Sequence, residues 1–485
     1  MSDAPVVVPR PVTVRRLPLL VRGLSALNAW LEARPGLAQS LRVFRLGLLQ
    51  FGLGLSLAPV TGTLNRVLID DLRIPAVIVG FLIALHYFVS PVRAMIGYHS
   101  DLKRAQGKWR TPYVVLGVML TYGGLACAPF ALILLSGEGV LPFWASVLVC
   151  VFIFGAYGIG VNIVETIFLA LVSDITPPKA RGRVLAALWG MLILGTIVSA
   201  IIVSGLLVDY SHRRLIEVMQ GSAIVFVVLT FLALYQQERL RKDGSIDSEL
   251  ETVRVRLSLW QSLRLLGGQR TLQALFSVIF IATMAFATHD VLLEPYGGQV
   301  LGMSVAATLR LTVIWGVAMI AGVGLAAWLL WRKVNAVWVM GVGCAVGLLG
   351  FGVISWAGAA VWLEPFRVGV GMISLGRGLF IVGSVILVMS LTDVNHAGLF
   401  LGVWGIVQAM GQGFGTIGGG LVRDIAYYVS ANVVVGYVVV YIGSLVLLTI
   451  ALAALVLRLA KHVRSQELTM PWAGLEEIPA DQLAF

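Results

Sequence analysis

Apolar runs long enough to cross a bilayer recur from about residue 44 to residue 460, separated by short polar connections. About twelve spans can be drawn, beginning near residues 44, 75, 112, 143, 184, 217, 272, 305, 336, 366, 399 and 432. The runs lack the period-two alternation of a membrane β-barrel, and helices are the remaining way to satisfy backbone polar groups in lipid. The expected fold is therefore an all-α membrane protein. Ahead of the first span, between Pro18 and Arg34, Leu20, Leu24, Leu27 and Leu31 recur at four- and three-residue steps beside Trp30. That spacing predicts an interfacial amphipathic helix. The longest polar segment divides the spans six and six, and inside it Ser248 and Glu251 have the capping-box spacing of a short surface helix. The organisation expected is an arm over 1–43, a six-helix bundle over 44–236, a linker over 237–271, a second bundle over 272–460 and a tail over 461–485.

Composition agrees: 59% of the 485 residues are apolar and 12% charged, which excludes an ordinary soluble domain. The formal net charge of +11 could point to nucleic acid, but the cations sit in alternate connections. Arg10, Arg15, Arg16, Arg22 and Arg34 occupy the arm, Lys103, Arg104, Lys108 and Arg110 the second connection, and Lys179, Arg181 and Arg183 the fourth. Arg239, Arg241 and Lys242 begin the sixth, and Lys461 and Arg464 lie in the tail. Such a distribution sets topology and places both termini in the cytoplasm. Cys127, Cys150 and Cys344 lie inside apolar runs without metal-ligand spacing. No nucleophile elbow, zinc-protease motif or phosphate loop is present, so an enzyme is not expected.

Shifting the chain by about 224 positions sets Asn65-Arg66-Val67-Leu68-Ile69-Asp70 against His289-Asp290-Val291-Leu292-Leu293-Glu294, each closing the first span of its half. Equivalent span ends of this kind support two parallel repeats. The connection Gly97-Tyr98-His99-Ser100-Asp101-Leu102-Lys103-Arg104, followed by Gly107, Lys108 and Arg110, resembles the cytoplasmic latch loop of the major facilitator superfamily. Its equivalent in the second half, Trp331-Arg332-Lys333-Val334-Asn335, is too short to repeat it. A major-facilitator-like arrangement of two six-helix halves is the expectation.

A more specific signature is Asp290-Val291-Leu292-Leu293-Glu294-Pro295-Tyr296-Gly297-Gly298-Gln299-Val300-Leu301-Gly302-Met303-Ser304. It resembles the PucC family of light-harvesting assembly proteins, as do Asn65-Arg66-Val67-Leu68-Ile69 with Pro75-Ala76, and the segment from Gly398 to Ala409 that contains Trp404 and Gln408. The resemblance implies a protein of a bacterial inner or photosynthetic membrane that binds or delivers bacteriochlorophyll, or chaperones antenna polypeptides. Arg377, where the family usually has a small residue, and His86 depart from the pattern and leave core or peripheral antenna open. On that reading a lateral apolar surface matters more than a central polar pore. A secondary transporter using a central cavity is the alternative.

Ionisable groups inside spans are costly, so pairing or function is the default expectation for them. Arg66 and Asp290, at equivalent span ends, are expected to pair and close the periplasmic side. Asn65 and Glu294 flank them, while Asn162, Glu165, Arg377 and Gln408 are expected to line a cavity or fix helix packing. His86 and His289 lie within spans and are the candidate axial donors to bacteriochlorophyll magnesium, because a neutral imidazole nitrogen can supply the lone pair.

Overall fold

A computed structural model describes residues 35–90, 96, 110–137, 141–176, 181–235, 270–390 and 397–459. The amphipathic arm, nearly all of the linker, the tail, and Gly97, Asp101, Lys103 and Arg104 of the expected latch lie outside them. Arg110 is described, and it is buried immediately before a helix. The chain parts into two compact units, Met1–Arg45 and Leu46–Phe485. Only the helical residues from Pro35 are described in the first, and the architecture below is that of the second.

Twelve principal helices follow in order: α1 Pro35–Ala58, α2 Ala76–Phe88, α3 Thr111–Cys127, α4 Phe143–Ile175, α5 Arg181–Leu206, α6 His212–Leu234, α7 Arg270–Ala287, α8 Val305–Trp331, α9 Ala336–Ala359, α10 Leu363–Ser390, α11 Ala397–Ser430 and α12 Val433–Ala454. There is no strand among the described residues. Most helices start within a few residues of the expected positions. The largest internal discrepancy is α6, which starts at His212 rather than near 217, because the Ser211 side chain accepts a hydrogen bond from the Arg214 amide and caps a polar first turn.

Packing repeats with a period of six helices. In the first half α3 lies on α4 and α6, and α2 on α4; in the second, α9 lies on α10 and α12, and α8 on α10. Across the halves α2 packs along α11, and α5 along α8. Adding six to each member of one set returns the other set, with α2 and α11 mapping onto α8 and α5. The two six-helix halves are thus related by a pseudo-two-fold axis, as the expected parallel repeats require.

Local sequence explains how α1 departs from a regular helix. Pro59 has no amide hydrogen for the Leu55 carbonyl, and α1 continues as two π-helical turns, Pro59–Leu64 and Val67–Asp71. The freed Leu55 carbonyl instead accepts from Ser199 Oγ of α5 at 2.7 Å, which keeps it satisfied away from water. The same two helices approach through glycines: a methyl at Gly54 would overlap the Leu192 carbonyl, and one at Gly195 the Phe51 carbonyl. The glycine-rich stretch of α11 also serves helix packing, with Gly411, Gly415 and Gly419 set against Phe280, Met284 and Thr288 of the α7 segment.

Candidate functional site

Reversal of direction at each connection puts the end of α1, the start of α2, the end of α7 and the end of α11 at one end of the molecule. Among the described residues, five hydrogen bonds join the two halves there. Asn65 Nδ2 donates to the Val291 carbonyl at 3.1 Å, Arg66 Nη2 to the Met303 carbonyl at 2.9 Å, and Ser204 Oγ to the Ala306 carbonyl at 2.8 Å. In the other direction Gln299 Nε2 donates to the Ile69 carbonyl at 3.1 Å, and the Val77 amide donates to Asp424 Oδ2 at 2.8 Å. Gln299 Oε1 also accepts from Arg423 Nη2 and from the Tyr437 hydroxyl, at 2.7 and 2.8 Å. One glutamine therefore ties the π turn of α1 to α11 and α12.

Geometry gives the glycine-rich signature its physical meaning. Leu293–Gln299 forms a short helix whose Tyr296 is fully buried, stacked 4.6 Å from Tyr437 and 5.5 Å from Tyr441, with Phe366 edge-on at 5.2 Å. That aromatic cluster anchors the segment on the second half. A Cβ at Gly298 would overlap Asp70 and sit 2.7 Å from Arg66 Nε, so only glycine lets the guanidinium lie this close to the segment.

Between the halves, inside the sealed end, lies a cavity of about 780 Å³. Its wall is mainly aliphatic, with Trp189, Trp315 and Trp404, and it runs from Glu294 toward Ser90, Leu185 and Met389 nearer the other end of the bundle. Its principal charged feature is an ion pair: Arg377 Nη1 of α10 donates to both carboxylate oxygens of Asp290, at 2.9 and 3.0 Å. Glu294 Oε1 accepts from Thr312 Oγ1 at 2.6 Å, and Glu165 lines the wall contributed by α4.

The expected pairing of Arg66 with Asp290 is not the one formed. Asp290 faces Arg377 in its own half, whereas Arg66 bonds Asp70 one helical turn away, at 3.2 Å. Asn65 and Arg66 lie in the seal. Asp290, Glu294, Glu165, Arg377 and Gln408 line the cavity. Gln408 Oε1 also accepts from Thr283 Oγ1 at 3.2 Å. Asn162 packs behind the wall, its amide donating to the His86 carbonyl at 2.8 Å and to the Gly158 carbonyl at 2.7 Å, which fixes α4 on α2. Gln299, Arg423, Asp424, Tyr437 and Thr312 were absent from the sequence-derived set. Arg423 and Asp424 carried the same signal as the others, charge within an apolar helix.

The two histidines differ in what they can offer an axial ligand site. His86 is partly exposed to the cavity, and its Nδ1 lies 2.7 Å from the Ile83 carbonyl. With Nδ1 as the donor the ring lone pair is on Nε2, the arrangement by which a ligating histidine is usually oriented. His289 is wholly buried, edge-on to Phe351 at 5.7 Å, with Nε2 3.8 Å from Asp290. The wall chemistry and His86 fit a magnesium tetrapyrrole with an apolar tail. His289, like His86, lines the cavity, and neither of its ring nitrogens has a hydrogen-bond partner among the described residues.

Comparison with known proteins adds family and fold. A model of the PUCC protein family matches residues 63–463. The chain is 37% identical over 391 residues to Protein PucC of Rhodovulum sulfidophilum, covering 79% of this chain and 85% of that protein. It is 34% identical over 447 residues to an uncharacterized protein of the puhA-bchM intergenic region of Rhodobacter capsulatus, covering 89% and 92%. A third relative from Rhodobacter capsulatus, 31% identical over 395 residues and covering 79% and 88%, is called the bacteriochlorophyll synthase 44.5 kDa chain. Among solved structures, an inward-facing bacterial homologue of the human lysosomal transporter Spinster superposes with a TM-score of 0.65 at 14% identity, covering 88% of this chain and 98% of that one. The fold is that of the major facilitator transporters.

Proposed function

The chain belongs to the PucC family, and on that premise we propose that it is a non-enzymatic assembly factor for light-harvesting antennae that receives bacteriochlorophyll in its central cavity. The observation that carries this reading is the cavity itself: an apolar, tryptophan-bearing chamber of about 780 Å³ with a histidine on its wall, in a member of a photosynthesis-related family. Bound pigment would supply the light-absorbing group that an antenna polypeptide must receive. The protein supplies the binding surface. In this proposal His86 would hold the magnesium, Ile83 and Asn162 keep its ring and backbone in place, and the aliphatic wall excludes water. Arg377, held in position by Asp290, would offer a hydrogen-bond donor to carbonyl groups of a bound pigment. Basic residues in alternate connections, all on one side, favour cytoplasmic termini, with the sealed end away from the cytoplasm.

A transport reading draws on the same cavity, favoured by a fold in which one end is interlocked between two halves. Absorption spectra of the full chain, purified in lipid discs from its photosynthetic membrane, separate the two. Bound bacteriochlorophyll that is lost in His86→Leu, with helix content and elution unchanged, is the expected result. Undiminished pigment in that variant would refute the ligand assignment. Pigment-free wild-type protein would refute pigment handling and leave transport.

A further inference from the structure

A second cavity, of about 760 Å³, lies on the outside of the first half, at the sealed end, in the gap between α5 and α6 over α1. Its walls are mainly apolar, interrupted by Ser199 and Ser222, with Ile202, Leu206 and Val225 also exposed on the outer surface of the bundle. At its mouth stand Arg213 and Arg214 in the first turn of α6, both exposed. Its floor includes Gly221, where an added Cβ would meet open space. The groove thus combines an acyl-chain surface with a cationic rim at the end of a spanning helix, the depth of lipid headgroups.

Three observations set the rim apart from ordinary topology charges. On the orientation expected from the basic connections, this is the non-cytoplasmic end, where arginine is not needed to fix topology. The repeat-related start of α12 reads Asn432-Val433-Val434-Val435 and has no cation, so the pair is not a consequence of the fold. Arg213 Nε does donate to Glu217 Oε1 at 2.9 Å, but with side chains 90% and 60% exposed this pair is weak and readily exchanged for another anion. Two cations against the single carboxylate of Glu217 leave the rim positive.

We propose that the α5–α6 groove binds a phospholipid with an anionic headgroup, its acyl chain along Ile202, Leu206 and Val225 and its phosphate on Arg213 and Arg214. This site is separate from the central cavity and does not depend on what that cavity holds.

The test is competitive lipid binding to the purified full chain, read by native mass spectrometry, with phosphatidylglycerol against phosphatidylcholine of the same chain length. Wild-type protein should retain phosphatidylglycerol with about tenfold preference. Arg213→Gln with Arg214→Gln should abolish the preference, Arg213→Lys with Arg214→Lys should keep most of it, and Gly221→Phe should lose the retained lipid by filling the groove. Excess inorganic phosphate should leave the lipid in place. Equal retention of the two lipids by the wild type, an unchanged preference in the glutamine variant, or displacement by phosphate alone would each overturn the proposal. If the glutamine variant fails to fold, Gly221→Phe and the wild-type comparison decide.

Discussion

Asp290 and Arg377 hold each other in the cavity wall, the guanidinium donating to both carboxylate oxygens. Each was legible as an intramembrane charge, but their partnership was not, because a sequence gives no distance between the end of α7 and the middle of α10. Arg377 is mostly buried, and removing one member of such a pair strands the other. Arg377→Leu is expected to lower stability by about 3–5 kcal/mol. The double variant with Asp290→Asn should recover much of that loss, a coupling measurable by thermal unfolding of all four proteins in one detergent. Val361 makes a cleaner case. It turns the chain between α9 and α10 with φ of 56°, a left-handed conformation that a β-branched residue adopts only under strain, and its side chain is exposed. Val361→Gly should therefore raise stability by about 1 kcal/mol in the same assay.

At the scale of elements, hydrophobic runs located the helices well, since apolar length and capping residues are local properties. What they could not reveal was the short helix Leu293–Gln299, too brief to have a periodicity of its own, or the π turns after Pro59, whose form depends on Ser199 arriving from another helix. Gln299 is the functional residue most thoroughly hidden. It carries no charge to mark it within its segment, yet it joins Ile69, Arg423 and Tyr437. Gln299→Leu keeps the volume and removes all three bonds. The expected outcome is a folded protein whose sealed end opens more often, seen as faster hydrogen exchange at Ile69 and Leu72 while α9 and α10 keep their protection. Unchanged exchange would show that the aromatic cluster around Tyr296 alone holds the segment.

For the whole molecule, the two-fold repeat was visible in one short sequence match and is confirmed by a packing pattern that recurs every six helices. The cavity was not visible, because its wall draws on helices from both halves whose apolar faces look, in sequence, like lipid-facing ones. A cysteine at Thr61, in a background with Cys127, Cys150 and Cys344 replaced, tests the seal directly. In oriented vesicles an impermeant maleimide should modify it from the face where α2 leads toward α3, and not from the face where α1 meets α2. Labelling from the latter face would show that the interlock is not the resting arrangement. The five bonds of that interlock share one property: each joins a side chain to a peptide group of the opposite half. A peptide carbonyl is present whatever the residue, and the one amide donor, that of Val77, is lost only to proline. That change aside, sequence drift can disarm this contact only through Asn65, Arg66, Ser204, Gln299 or Asp424, and a lost donor or acceptor has no facing side chain through which a compensating exchange could restore it. Such an interface has no means of producing the paired changes by which contacts between side chains announce themselves.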